Sequence, residues 1–173
     1  MECALIRRVM PMTLLAAMAL APAQPAFAAP PVAVPAGSVT IPAGQGCEGF
    51  DLKLAGSDGM VRVVAVKDKN GTQDRIITVA TGVTITYTNL DTGESISFKT
   101  SGSVTSVVTD GNVQTVTATG HNGLILFPTD VPAGPTSTQY SGGKIVYTIN
   151  TATGVFTLIS ASGNPTDVCA SLS

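Results

Sequence analysis

The chain of 173 residues contains no Trp, one His and only 12% charged residues. Each shortage excludes something. A formal net charge of −2 argues against a nucleic-acid partner, which needs a basic footprint. The missing Trp removes the commonest aromatic platform of a sugar site. One His cannot supply the several ligands of a zinc centre, and no cofactor-binding motif appears. No window after the first thirty residues holds a helical period, and none approaches the 18 apolar residues of a membrane span.

What is abundant points to strands. Thr occurs 23 times and Val 19 times, roughly a quarter of the chain, and β-branched residues suit a half-buried pleated surface. Gly (18) and Pro (11) supply turn signals without reaching low-complexity levels.

The N-terminus reads as an export signal. Arg7 and Arg8 precede an apolar run from Met12 to Ala21, and Ala26-Phe27-Ala28 fits a small-x-small cleavage site. Residues 1–28 are therefore expected to be a bacterial Sec-type signal peptide, with a secreted mature chain that spans no membrane. Val9, Met10 and Pro11 fit a twin-arginine signal poorly. Cys3 leaves with the leader. Cys47 and Cys169 remain, an even pair suited to an oxidising compartment, where they are expected to form a disulfide closing most of the domain. Two buried free thiols are the alternative.

Residues 29–46 are rich in Pro and Gly and should be extended, with Val39-Thr40-Ile41 a short edge strand. Residues 47–173 read as a single β domain. Phe50, Leu52 and Leu54 alternate on one face, and Val83, Ile85 and Tyr87 do the same against three Thr. Further runs lie at 61–66, 75–80, 95–99, 104–109, 113–119, 124–127, 144–149 and 155–160. Asn70-Gly71, Asp110-Gly111 and Asn122-Gly123 read as tight turns. About ten short strands with turns every 8–12 residues predict an all-β, antiparallel β-sandwich, with a small β-barrel as the alternative. Tyr87-Thr88 then Thr92-Gly93, with Gly102 nine residues on, resembles Tyr147-Thr148 then Thr153-Gly154, with Gly163 nine residues on. Two similar hairpins account for this more simply than a duplicated half-domain.

Candidate chemistry is sparse. Pro128 to Gly143 reads as the longest connection, and long loops are often functional. Its Asp130 and Tyr140 are the candidate binding residues, while Tyr87 and Tyr147 read as core-facing. Asp68 to Asp74 resembles the start of a calcium loop, but Gln73 and Val79 occupy the places of the required Gly and acidic residue. His121 reads as a solvated turn residue with no Gly-x-Ser-x-Gly elbow nearby. The two Thr ladders, at 84–88 and 115–119, are ordinary solvent-face residues of strands. Asn70-Gly71-Thr72 is a glycosylation sequon that a bacterial chain would leave idle.

Cys47-Glu48-Gly49-Phe50-Asp51, Tyr87-Thr88-Asn89-Leu90-Asp91-Thr92-Gly93 and Asp167-Val168-Cys169 resemble the corresponding motifs of secreted actinobacterial β-rich proteins of unknown function. That resemblance implies a secreted β domain and carries no activity or site residue. The leading expectation is a non-catalytic binding or structural module whose partner is a protein or a cell-envelope polymer. A small hydrolase using carboxylates is the first alternative, since the acidic residues offer many pairs. A protein inhibitor presenting the 128–143 loop is the second.

Overall fold

A computed structural model describes residues 30–67, 74–100 and 102–173. Residues 1–28, expected to be a signal peptide, the Asn70-Gly71 dipeptide expected to be a turn, and Asp68 to Gln73 of the calcium-like stretch lie outside the described residues. The strands in chain order are β1 Val32–Val34, β2 Gly37–Ile41, β3 Leu52–Gly56, β4 Gly59–Lys67, β5 Asp74–Thr81 and β6 Thr84–Asn89. Then come β7 Ser95–Lys99, β8 Ser103–Asp110, β9 Val113–Thr119, β10 Asn122–Leu126, β11 Thr136–Asn150 and β12 Phe156–Asp167. One helical turn, α1 Val168–Ser171, closes the chain and is capped by Asp167, whose Oδ1 accepts from the Ala170 N–H at 3.0 Å.

The chain is all-β and antiparallel, with two sheets packed as in a sandwich and no closure into a barrel. The large sheet runs β1-β4-β5-β8-β9-β11-β10, with β12 beside β11; the small sheet runs β2-β3-β6-β7. The two orders are two levels of one meander. β1 and β2, β3 and β4, β5 and β6, and β7 and β8 are consecutive in sequence and hold matching places in the two sheets. Each pair is one run of chain that crosses between sheets at a shared break. Backbone bonds tie the break together: Ser57 N–H to Thr84 O at 2.9 Å, and Thr100 N–H to Val83 O at 2.9 Å.

The break continues across the other strands as a seam of glycines. Gly120 separates β9 from β10, Gly142 and Gly143 interrupt β11, and Gly163 lies in β12. Gly143 has φ 96°, a conformation that L side chains avoid, and a Cβ there would overlap the Ser162 carbonyl oxygen. Glycine thus lets adjacent backbones bend together at one level.

Two cores follow from this bend. The first lies inside the small sheet, where Ile41, Phe50, Leu52 and Tyr87 pack with Cys47, Val168 and Leu172. The second gathers Ala118, Leu124, Leu126 and Ile145, with Tyr147 stacked on Phe156 at 4.6 Å. β10 serves both, because Ile125 packs against the first while its neighbours Leu124 and Leu126 enter the second. The Cys47–Cys169 disulfide, with Cα atoms 5.5 Å apart across 122 residues of sequence, fastens the end of the chain to the first core.

Two sequence readings are corrected. The connection expected at 128–143 is short, because Thr136 to Gly143 belong to β11. Its inward residues are polar, so the alternation was hidden: Ser137 and Gln139 are each 1% exposed. Ser137 Oγ donates to Gly46 O at 2.8 Å, and Gln139 Oε1 accepts from the Tyr87 hydroxyl. Asn122-Gly123 is no turn but the start of β10. Gly123 is needed there for close approach, since a Cβ would overlap the Tyr87 hydroxyl.

The two similar hairpins share one turn. Asn89 and Asn150 each accept backbone N–H bonds on Oδ1 from the residues two and three further on, and each carbonyl accepts from the glycine four residues on.

Candidate binding surface

Four acidic side chains are committed to the backbone. Asp51 accepts from Ala43 N–H at 2.8 Å, Asp58 from Ala36 N–H at 2.7 Å, and Asp167 caps α1. Asp130 is 9% exposed, and its Oδ2 accepts from Phe127 N–H at 2.7 Å. Its place is that of a turn-holding residue in the 127–135 connection. Tyr140 is half-buried in β11, opposite Asn122, and packs against the second core. Because the connection joins Leu126 to Thr136, Asp130 and Tyr140 stand at opposite ends of the β10–β11 ladder.

The connection is held by backbone bonds while most of its side chains stay exposed. Gly134 N–H donates to Phe127 O at 2.8 Å, and Val131 exchanges backbone bonds with Phe156 and Leu158 of β12. His121 is half-buried between β9 and β10, and its carbonyl accepts from Ser103 Oγ. Among the described residues, no three His, Cys, Asp or Glu side chains converge. Every buried side-chain N or O atom described has a hydrogen-bond partner. Burial pushes the Tyr87 hydroxyl up to about 12 and raises that of Tyr147, and both belong to cores.

The open surface lies elsewhere, around the first five strands. A cleft of about 560 Å³ is lined by Val34, Pro35, Asp58, Gly59 and Met60. A second, of about 310 Å³, lies among Pro31, Met60, Arg62, Val79 and Thr81. Here Met60 faces Thr81 and Arg62 faces Val79 across the β4–β5 ladder. A third, also about 310 Å³, runs along Gly37, Val39, Leu54, Gly56, Val83 and Ile85. Its trough exists because Gly37 pairs with Gly56, and neither has a side chain to fill the space between Val39 and Ile85.

Among the described residues the sheet beside these clefts is uncovered: no described side chain of β4, β5 or β8 is buried, although each strand carries several Val or Ile residues. Val63 is 45% and Ile76 46% exposed. Sequence reasoning missed this surface because it treated residues 29–46 as a weakly packed lead-in. The available signal was charge: Pro30 to Gly46 contains no charged residue, unusual for a segment at the rim of a sheet.

No protein-family model, curated protein or solved structure matches this chain.

Proposed function

We propose that the protein is a secreted, non-catalytic binding or structural module acting at the cell envelope or in the surrounding medium. It engages a protein or envelope polymer through the end of the sheets built by β1 to β5. One observation carries this reading. The three clefts are lined mainly by β1 to β5 and their links, and the adjoining strands β4, β5 and β8 bury no side chain among the described residues. An exposed apolar patch of this kind marks an interaction site. The export-like N-terminus and the disulfide support work outside the cytoplasm. The commitment of Asp51, Asp58, Asp130 and Asp167 to backbone donors leaves fewer carboxylate pairs for a hydrolase.

Cosedimentation with envelopes of the producing cells, followed by capture from the spent medium, tests the reading. Saturable binding that is lost in a Val63→Lys/Ile76→Lys double variant is the expected result. Binding that survives both this double variant and Met60→Lys, at a residue that lies on the opposite face and lines two of the clefts, removes the proposed surface.

A further inference from the structure

We infer that β2 is a self-pairing edge: two copies of the chain join antiparallel through Gly37–Ile41, with Val39 opposite the partner's Val39. Two four-stranded sheets then become one of eight strands. The inference rests on reading the β1 to β5 end as the interaction surface, and it names a second copy as an occupant.

The strand's own order makes the case. β2 pairs with β3 on one side and with no other strand among the described residues. Written against itself about Val39, the sequence Gly37-Ser38-Val39-Thr40-Ile41 sets Ser38 opposite the partner's Thr40, twice by symmetry. The same sheet already uses this pairing. Thr86 and Ser97 hydroxyls meet at 2.8 Å across β6 and β7, and Thr88 and Ser95 meet at 2.9 Å. Such cross-strand hydroxyl pairs stabilise antiparallel ladders.

The inner face agrees. Val39 lies opposite Leu54 on the apolar side of the sheet yet is 53% exposed. The partner's Val39 would cover it. Gly37 would face the partner's Ile41, and around Gly37 there is open space rather than a neighbour. Directly opposed large side chains are thereby avoided.

Charge separates this edge from the opposite edge of its own sheet. β2 carries none, whereas β7 ends in Lys99. Like charges opposite one another weaken a ladder, and charged side chains are a usual protection of edge strands. β12 is protected differently, by Gly163, Pro165 and a register shift near Val146 and Tyr147 of its partner strand. Pairing β2 with itself about a two-fold axis uses up both edges, so the product is a closed dimer and not a fibre.

Sedimentation velocity over a wide concentration range, on the protein purified from the cells that make it, tests the inference. The expected result is a concentration-dependent dimer that Val39→Lys abolishes and Ile159→Lys, on the distant β12, leaves intact. Hydrogen exchange adds a readout independent of any variant: amides of β2 should exchange more slowly as wild-type concentration rises. A wild-type chain that stays monomeric, exchange in β2 that ignores concentration, or a Val39→Lys chain that still dimerises each overturns self-pairing. So does a monomer that takes an extended strand of another protein at β2. If the chain is monomeric but still binds envelopes in a way that depends on Val63 and Ile76 or on Met60, self-pairing fails and the functional reading stands. If neither occurs, both fail.

Discussion

The Tyr87 hydroxyl donates to Gln139 Oε1 at 3.0 Å, joining β6 of the small sheet to β11 of the large one inside the protein. Both side chains are 1% exposed, so neither has water to fall back on. Replacing Tyr87 by Phe strands the Gln139 oxygen, which should cost about 1–3 kcal/mol in urea unfolding. A variant as stable as wild type would mean that the sheets are joined by apolar contact alone.

The same tyrosine gives the stability a pH dependence. Burial raises its pKa to about 12 in the folded chain, against 10.0 in the unfolded one. The neutral form is therefore the one that folding favours. Its contribution is complete below pH 10 and is lost between pH 10 and about 12 as the unfolded chain ionises. The loss approaches about 3 kcal/mol for two units of displacement. Unfolding midpoints measured from pH 8 to 12 should fall over that window. Tyr87→Phe should flatten the fall and leave the part due to Tyr147, whose pKa burial also raises.

Reducing the Cys47–Cys169 bridge should destabilise without changing the fold class. The bridge closes a loop of 122 residues, for which the chain-entropy model gives about 4–5 kcal/mol. Its partners explain where the damage falls. Cys47 and Val168 are fully buried, and the Leu172 carbonyl accepts from Asn89 Nδ2 at 2.8 Å. Reduced protein should lose protection first in α1 and in the 42–50 segment, as hydrogen exchange would record. Uniform loss across all strands would assign the bridge a global role instead.

Two glycines with similar backbone angles should respond differently to alanine. Gly154 has φ 73° and open space around it, so Gly154→Ala pays only for the left-handed backbone, about 1–2 kcal/mol. Gly143 has φ 96° and lies against the Ser162 carbonyl and Gly163 Cα. Gly143→Ala adds a steric overlap with backbone, which cannot move aside without unbending the seam. It should cost several times as much, and comparing the two unfolding free energies isolates the steric part.

The strands themselves were legible wherever the inward side chains were apolar. Leu52 and Leu54, Ile85 and Tyr87, and Ile96 and Phe98 announce their face by alternation, and each is buried or packed against the first core. Legibility failed where inward positions were polar, as at Ser137 and Gln139, because their burial depends on Gly46 and Tyr87 from distant parts of the chain. It failed again at Gly123, where a turn-like dipeptide serves close packing. The seam was invisible for a related reason. Gly102, Gly120, Gly143 and Gly163 are spread over sixty residues, and only strand register aligns them. The uncovered sheet was hidden because apolar alternation reports what a strand could bury, not whether anything covers it.

That distinction yields the sharpest test of the architecture. Ile76, Val107 and Val116 occupy one cross-strand row on one face, running from β5 through β8 to β9. By composition they are equivalent. By position they are not: Ile76 is 46% exposed, Val107 is half-buried, and Val116 is 4% exposed beside the second core. A lysine introduced at each reads the cover directly, because an ammonium keeps its hydration at an open site and loses it in a core. Ile76→Lys should change unfolding free energy by about 0.5 kcal/mol or less in dilute solution, as at ordinary surface positions. Val116→Lys should cost more than about 4 kcal/mol or prevent folding, with Val107→Lys between them. A steep cost at Ile76 in the dilute monomer would mean that another part of the same chain lies over β5, and the open sheet could not then be the binding surface.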